Sequence, residues 1–215
     1  FNDSEEVITG GLDDLDERCA EYAALGAKFT KWRAVIKIGE NMPSQECIDA
    51  NMQALADYAK IVQKNGMVPM VEPEVLMDGE HTAQVCFEVT ENCLRTLFIC
   101  LEGNGINLKG TILKPNMVLS GTKAPFQANI QEVAELTVKV LKENVPADLA
   151  GIAFLSGGQS DFLATAHLDA MNKMGDFPWE LSFSYGRALQ QPALKAWMGQ
   201  LDNVELAQKA FSHRA

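Results

Sequence analysis

Short apolar runs typical of β-strands alternate along the chain with longer segments in which apolar residues recur every three or four positions. Strands are predicted at residues 32–38, 67–71, 111–113, 151–155 and 180–183. Their first residues lie roughly 30 to 45 positions apart, the length of a strand with one crossover helix and its loops. The pattern therefore predicts successive β/α units whose strands run parallel.

The segments between the strands predict amphipathic helices. One helix begins after Ser44, has Ile48, Leu55 and Val62 on its apolar face, and ends before Gly66. Further helices are predicted at residues 12–25, 81–101, 130–141, 161–171 and 187–197. No low-complexity segment or linker interrupts the pattern, so residues 1–215 are predicted to form a single α/β domain.

Two parallel architectures fit this order of elements: an open doubly wound sheet and a (β/α)8 barrel. Polar residues that could carry chemistry cluster at or just beyond the carboxyl ends of the predicted strands. They are Lys37, Glu72, Glu74, Lys114, Ser156 and Arg187. In a barrel all of these ends face one mouth, where active sites form, so this placement favours the barrel.

Composition narrows the function classes. The formal net charge of −11 over 215 residues argues against non-specific binding to nucleic acid or to anionic membranes. Five cysteines without CxxC spacing indicate free thiols in a reducing compartment. The three histidines lack metal-site spacing, and no nucleotide-binding glycine motif follows a predicted strand. The sequence therefore predicts neither a metal nor a nucleotide cofactor.

Lys114 ends an apolar run and precedes Pro115, which cannot extend a strand ladder. A lysine buried there either has an ion-pair partner or is held neutral, so that its amine can form a Schiff base with a carbonyl. Lys31, predicted on the same side of the first strand as Arg33, would favour the neutral amine by repulsion. The alternatives are a surface lysine and a solvated, charged edge strand.

Glu72 and Glu74 flank Pro73 at the end of the second apolar run. Two carboxylates two residues apart on an extended chain point the same way, so one of them could transfer protons. A polar loop following a strand is the alternative interpretation.

Two glycine-containing turns predict phosphate sites. Ser156, Gly157 and Gly158 lie between a strand and a helix, where backbone N–H groups and the helix dipole attract anions. Gly186 and Arg187 repeat this arrangement after the last predicted strand, and a guanidinium can bind phosphate through two parallel hydrogen bonds. Phosphate sites after the last two strands recur in (β/α)8 barrels.

Five motifs together resemble those of class I fructose-bisphosphate aldolase, in the order and close to the spacing of that family. They are KWR at residues 31–33, VEPE at 71–74, LKPN at 113–116, FLSGGQS at 154–160 and FSYGRALQ at 183–190. GLDDLDERCAEY at 11–22 and PALKAW at 192–197 extend the resemblance over nearly the whole chain. The resemblance implies a (β/α)8 TIM barrel, of which this chain holds about strands four to eight and their helices.

The resemblance also implies residue roles. Lys114 would be the Schiff-base lysine, Glu72 the general acid/base of carbinolamine dehydration, and Glu74 a second carboxylate nearby. Lys31 would lie near the Schiff base and the substrate hydroxyls, and Arg33 would line the same cleft. The implied binding site for the ketose 1-phosphate consists of Ser156, Gly157, Gly158, Ser184, Gly186 and Arg187.

The implied reaction is the reversible cleavage of fructose 1,6-bisphosphate to dihydroxyacetone phosphate and glyceraldehyde 3-phosphate, in glycolysis and gluconeogenesis. The resemblance further implies independence of metal ions, a homotetramer and a cytoplasmic location. Two alternatives are another Schiff-base barrel, such as a transaldolase-like or deoxyribose-phosphate aldolase-like enzyme, and a noncatalytic scaffold. The paired SGGQS and SYGR motifs argue against the first, and the joint presence of Lys114, Glu72 and Lys31 argues against the second.

The sequence departs from the family at both ends. The family's barrel has eight strands, whereas five are predicted here. An aspartate of the first strand, a lysine of the third and a C-terminal tail that ends in tyrosine have no counterpart. Because a five-strand barrel segment would leave two open edges, we expect the natural protein to be longer.

Overall fold

Parallel β/α units make up the fold of residues 4–215, the part that the computed structural model describes; residues 1–3 of the predicted domain lie outside it. The strands of these residues are β1 (Phe29–Ile36), β2 (Val68–Val75), β3 (Ile112–Leu113), β4 (Gly151–Phe154) and β5 (Leu181–Phe183). The α-helices are α1 (Leu15–Ala24), α2 (Gln45–Lys64), α3 (Ala83–Gly103), α4 (Ile130–Asn144), α5 (Asp161–Asn172), α6 (Arg187–Trp197) and α7 (Val204–Arg214).

The strands form one sheet in the order β1-β2-β3-β4-β5, and every neighbouring pair is parallel. Each helical connection therefore joins two adjacent strands. A doubly wound sheet reverses its strand order at a switch point, and no reversal occurs within residues 4–215. The order confirms the predicted α/β fold and matches consecutive strands in the wall of a barrel.

Helix boundaries follow the predicted start and stop signals closely. Ser44 caps α2 by accepting a hydrogen bond from Cys47 N, and Gly66 adopts a positive φ just beyond the helix end. Asn129 and Ser160 cap α4 and α5 in the same way. Helix α7 was not predicted, and the reason is physical: it has no buried residue, so no apolar face marks it in the sequence.

Burial along β1 confirms the predicted alternation. Trp32, Ala34 and Ile36 are buried on one side, whereas Lys31 and Arg33 are exposed on the other. A strand with helices on one face has this pattern because each side chain points opposite to the next.

The second strand is longer than predicted. It continues through Glu72 and Glu74 to Val75 and pairs with β1 along its whole length, so the two carboxylates lie within the strand. Both are buried, which excludes the polar-loop interpretation. The prediction ended the strand at Val71 because carboxylates are rarely buried without partners, and those partners lie far away in the sequence.

The loops that follow β2 and β3 are joined by backbone hydrogen bonds at the carboxyl end of the sheet. Gly121 N donates to the His81 carbonyl at 2.8 Å, and Thr122 N donates to the Met77 carbonyl at 2.7 Å. A Cβ at Gly121 would lie only 2.4 Å from the Gly79 carbonyl oxygen, so this approach requires glycine.

Among the helices of residues 4–215, none combines the length and apolar character needed to cross a membrane.

Candidate active site

Charged side chains of β1, of β2 and of the residue directly after β3 meet on the face of the sheet opposite the helices. The register aligns Arg33 on β1 with Glu72 on β2. It also aligns Val71 with Leu113, so Glu72 on β2 lies beside Lys114, the residue directly after β3. The parallel register therefore places these three residues in a row across the sheet, although they are far apart in the sequence.

Lys114 is buried and paired. Its Nζ donates to Glu72 Oε2 at 2.8 Å, and the two side chains are only 11% and 7% exposed. Its backbone N donates to the Val71 carbonyl at 2.8 Å, which anchors the residue directly after β3. Of the two sequence-based interpretations of a buried lysine, the structure shows the ion pair.

This pair can also produce a nucleophile. Transfer of one proton from the ammonium to the carboxylate, along the existing hydrogen bond, leaves a neutral amine beside a neutral carboxylic acid. Burial favours that exchange because it removes two charges from a poorly solvated site. The amine could then attack a carbonyl, and the acid could return the proton to a departing hydroxyl.

Glu74 has a different partner from Glu72. The Arg33 Nε donates to Glu74 Oε2. This hydrogen bond is the main reason why the pKa of the guanidinium is raised above its ordinary value. The Arg33 side chain is 52% exposed, whereas that of Glu74 is 8% exposed. A permanent positive charge therefore lies at the open face of the site, beside a carboxylate that is already engaged.

Lys31 lies on the same face as Arg33, but one step nearer the amino end of β1, where its register partner is Met70. It is exposed, and within residues 4–215 its side chain forms no hydrogen bond or ion pair. The structure therefore places Lys31 on the predicted face without bringing it into contact with Lys114. Its proposed role beside the Schiff base stays a prediction.

The two predicted phosphate loops converge. Gly157 and Gly158 adopt φ values of 61° and 97°, which favour glycine. A Cβ at Gly158 would lie 3.4 Å from a guanidinium nitrogen of Arg187, so the loop after β4 contacts the first residue of α6. Ser156 is buried at the start of its loop, and Ser184 N donates to the Phe154 carbonyl at 2.9 Å. These contacts bring the predicted loops to one end of the sheet.

Gly186 occupies the position just before α6. Its carbonyl accepts hydrogen bonds from Leu189 N and Gln190 N at 3.1 and 3.0 Å. A Cβ at this position would meet no atom within 4 Å, so glycine leaves open space beside Arg187. The anion site predicted there stays a prediction.

A buried hydrogen bond that the sequence did not predict connects the first predicted phosphate loop to α5. Gln159 Oε1 lies 2.6 Å from His167 Nδ1 on α5, and both residues are buried. Burial lowers the pKa of His167, so the imidazole stays neutral and its Nδ1–H can donate to the amide. The only sequence signal was a lone histidine in an amphipathic helix, which has no spacing to distinguish it.

Asn116 of the LKPN motif connects three elements. Its Oδ1 accepts from Val75 N at 3.0 Å, at the end of β2, and its Nδ2 donates to Thr90 Oγ1 on α3, also at 3.0 Å. Nδ2 further donates to the Met117 carbonyl at 3.1 Å. Pro115 has no N–H, so the amide side chain supplies a hydrogen bond to β2 just beyond the point where β3 ends.

Stability should fall as the pH is lowered below about 6.5. Burial lowers the pKa of both His81 and His167 in the folded state. Between the lowered and ordinary pKa values the unfolded chain binds more protons, so the free energy of unfolding rises with pH and is lost as pH falls through that window. Urea unfolding between pH 5 and 7 would measure this, and His167→Gln should flatten part of the dependence.

The exposed His213 on α7 provides the matched control. His213→Gln should leave the pH dependence of unfolding as it is in the unsubstituted protein. Equal dependence in the His167→Gln and His213→Gln variants would contradict the prediction.

Comparison with known proteins gives one family. The family model described as fructose-bisphosphate aldolase class-I matches residues 1–215. A probable fructose-bisphosphate aldolase class 1 of Xanthomonas axonopodis pv. citri is 56% identical over 211 residues, which cover 98% of this chain and 63% of the relative. A relative from Arabidopsis thaliana named fructose-bisphosphate aldolase 4, cytosolic, is 50% identical, with coverage of 98% and 54%.

A solved structure shows the same fold. The fructose-bisphosphate aldolase of Plasmodium falciparum, crystallised in complex with TRAP and a small-molecule inhibitor, superposes with a TM-score of 0.97 at 45% identity. The match covers 98% of this chain and 61% of that chain. The chain thus spans less than two thirds of the length of these relatives.

Proposed function

The chain belongs to the class-I fructose-bisphosphate aldolase family, and we propose that the protein containing it cleaves fructose 1,6-bisphosphate reversibly through a Schiff base on Lys114. The products are dihydroxyacetone phosphate and glyceraldehyde 3-phosphate. The observation that carries this proposal is the buried pair of Lys114 Nζ and Glu72 Oε2 at 2.8 Å, on the open face of the sheet. Family membership agrees with the resemblance of the five motifs.

Lys114 supplies the electron sink. Its neutral amine adds to the ketone of the substrate, and the resulting carbinolamine loses water to form an iminium ion. The iminium withdraws electrons from the adjacent carbon–carbon bond as a base removes the proton of the neighbouring hydroxyl. Cleavage releases the aldehyde product, and protonation and hydrolysis of the remaining enamine release the ketone and restore the amine.

Glu72 is the proposed proton carrier of these steps. It accepts the proton of Lys114 before the attack and returns a proton to the departing hydroxyl of the carbinolamine. Its position in a row with Lys114 makes both transfers possible without movement of the backbone. Glu74 and Arg33 form an adjacent charged pair that would orient the substrate hydroxyls together with Lys31.

The glycine loops would bind the phosphate of the ketose. Ser156, Gly157 and Gly158 offer a hydroxyl and backbone N–H groups, and Ser184, Gly186 and Arg187 offer the same with a guanidinium. The contact between Gly158 and Arg187 supports this assignment, because both loops could then bind a single phosphate group.

Location and assembly are further proposals. The Arabidopsis relative is named cytosolic, and the five thiols of this chain form no disulfide within residues 4–215, which together support a cytoplasmic location. The homotetramer rests on the family resemblance alone. Sedimentation velocity of the protein expressed from its complete gene would test it.

Reductive trapping tests the proposed function. The protein expressed from its complete gene is incubated with dihydroxyacetone phosphate and borohydride, and the adduct is located by intact mass and peptide mapping. We expect one irreversible adduct, on Lys114, because only a Schiff base is reduced to a stable amine. Lys109, exposed at the opposite end of the same β/α unit, should stay unmodified. No adduct, or an adduct on another lysine, would refute the assignment.

A further inference from the structure

Arg214, in the last turn of α7, forms hydrogen bonds with two neighbouring helices. Its Nε donates to the Ala188 carbonyl, in the first turn of α6, at 3.1 Å. A terminal guanidinium nitrogen donates to the Asp161 carbonyl at 3.2 Å and to Thr165 Oγ1 at 3.0 Å, at the beginning of α5. One planar cation therefore connects the beginnings of two helices.

The acceptor on α6 is available because of a proline. In an α-helix the Ala188 carbonyl would accept a hydrogen bond from the N–H of residue 192, four positions later. That residue is Pro192, which lies inside the helix and has no N–H. Ala188 is buried, so an unpaired carbonyl there would be costly, and Arg214 supplies the missing donor.

The two connected helix beginnings carry the two proposed phosphate loops. Helix α5 begins at Asp161, two residues after the turn in which Gln159 N bonds to the Ser156 carbonyl. Helix α6 begins at Arg187, whose guanidinium approaches Gly158. The hydrogen bonds of Arg214 within residues 4–215 are made to the two helices, and its positive charge also acts on Tyr185, in the loop that precedes α6. These hydrogen bonds would influence a bound phosphate through the placement of α5 and α6.

We infer that Arg214 is a positioning residue that sets the separation of the two phosphate-binding loops. The inference rests on the proposed function. It predicts that loss of Arg214 weakens the binding of phosphate groups, whereas the chemistry at Lys114, directly after β3, continues. Displacement of binding groups by about 1 Å can reduce the efficiency of a site up to about a hundredfold.

The test separates phosphate binding from Schiff-base chemistry. In the protein expressed from its complete gene, Arg214→Met should weaken binding of inorganic phosphate about tenfold, measured by titration calorimetry. Borohydride trapping of dihydroxyacetone, which lacks the phosphate, should proceed on Lys114 at an unchanged rate. Arg214→Lys keeps the charge but cannot span both helices, so it should also weaken phosphate binding.

A second variant guards against a purely structural explanation. Pro192→Ala adds an N–H that competes with Arg214 for the Ala188 carbonyl, and it removes an unfavourable helix residue. Phosphate affinity should fall severalfold while the melting temperature stays equal or rises. Lys209→Met is the matched control, since it removes a cation of α7 whose partner, Glu205, lies in the same helix.

Each outcome is decisive. Unchanged phosphate affinity in folded Arg214→Met protein, or no phosphate binding by the unsubstituted protein, would overturn the inference. An equal loss of dihydroxyacetone trapping would also overturn it, because Arg214 would then support the whole site. Arg214-dependent phosphate binding without any trapping on Lys114 would count against the proposed function alone.

Discussion

Replacing Lys114 with methionine should lower the rate of fructose 1,6-bisphosphate cleavage about 10⁴-fold or more, because it removes the amine on which we propose that the Schiff base forms. Methionine has similar length but leaves Glu72 buried without its partner, which could cost roughly 3–5 kcal/mol of stability. Lys114→Arg avoids this problem: the guanidinium can still pair with Glu72 and is not a nucleophile. Both variants should lose cleavage, measured by release of glyceraldehyde 3-phosphate.

Lys109→Met provides the comparison for both variants. Lys109 is exposed before β3, at the amino end of the sheet, so its loss should leave the rate within about twofold. Circular dichroism and inorganic phosphate binding would verify that the Lys114 variants are folded. Substantial cleavage by folded Lys114→Arg protein would exclude Lys114 as the nucleophile.

The second largest effect should come from Glu72→Gln. Glutamine has the same shape and can still accept the hydrogen bond that Lys114 Nζ donates at 2.8 Å, so the fold should persist. It cannot take the proton from the ammonium or return one to the carbinolamine hydroxyl. Loss of a positioned proton carrier typically costs about 10²–10⁴-fold. Single-turnover trapping of dihydroxyacetone phosphate with borohydride would show slower formation of the adduct.

Glu80→Gln is the matched control, because Glu80 is exposed on the loop that follows β2. Its loss should change the trapping rate little. If the trapping rate of the Glu72→Gln variant were within about tenfold of the rate of the unsubstituted protein, a group other than Glu72 would be the proton carrier. Glu74 is the nearest candidate by sequence, although Arg33 already engages it.

Much of the fold followed from periodicity and end signals. Helix α6 begins and ends at the predicted residues, and the cap at Ser44 with Gly66 beyond the helix end set the bounds of α2. These features are local, since a cap or an apolar face involves residues within a few turns. Helix α7 and the continuation of β2 through Glu72 and Glu74 were missed. The first has no buried face, and the second depends on partners 41 and 42 residues away in the chain.

The sequence predicted which residues belong to the candidate site, but it did not predict which of them form pairs. Lys114, Glu72, Glu74 and Arg33 were all candidates, but the sequence did not specify which carboxylate faces the lysine. That choice depends on register, since one step along β2 or β3 would place different residues in the row. The predicted role of Lys31 near the Schiff base stays a prediction, and the hydrogen bond of Gln159 with His167 gave no sequence signal.

The sequence by itself thus determined the β/α units, the apolar strand before Lys114 and the glycines of both proposed phosphate loops. Each of these features depends on residues that are close together in the sequence, and sequence motifs and periodicity are patterns of such residues. Tertiary structure alone decided that Glu72 neutralises Lys114, that Arg33 engages Glu74, and that Arg214 fills the acceptor left by Pro192. Those pairings join distant segments, and their geometry exists only after parallel strands align and helices pack against them.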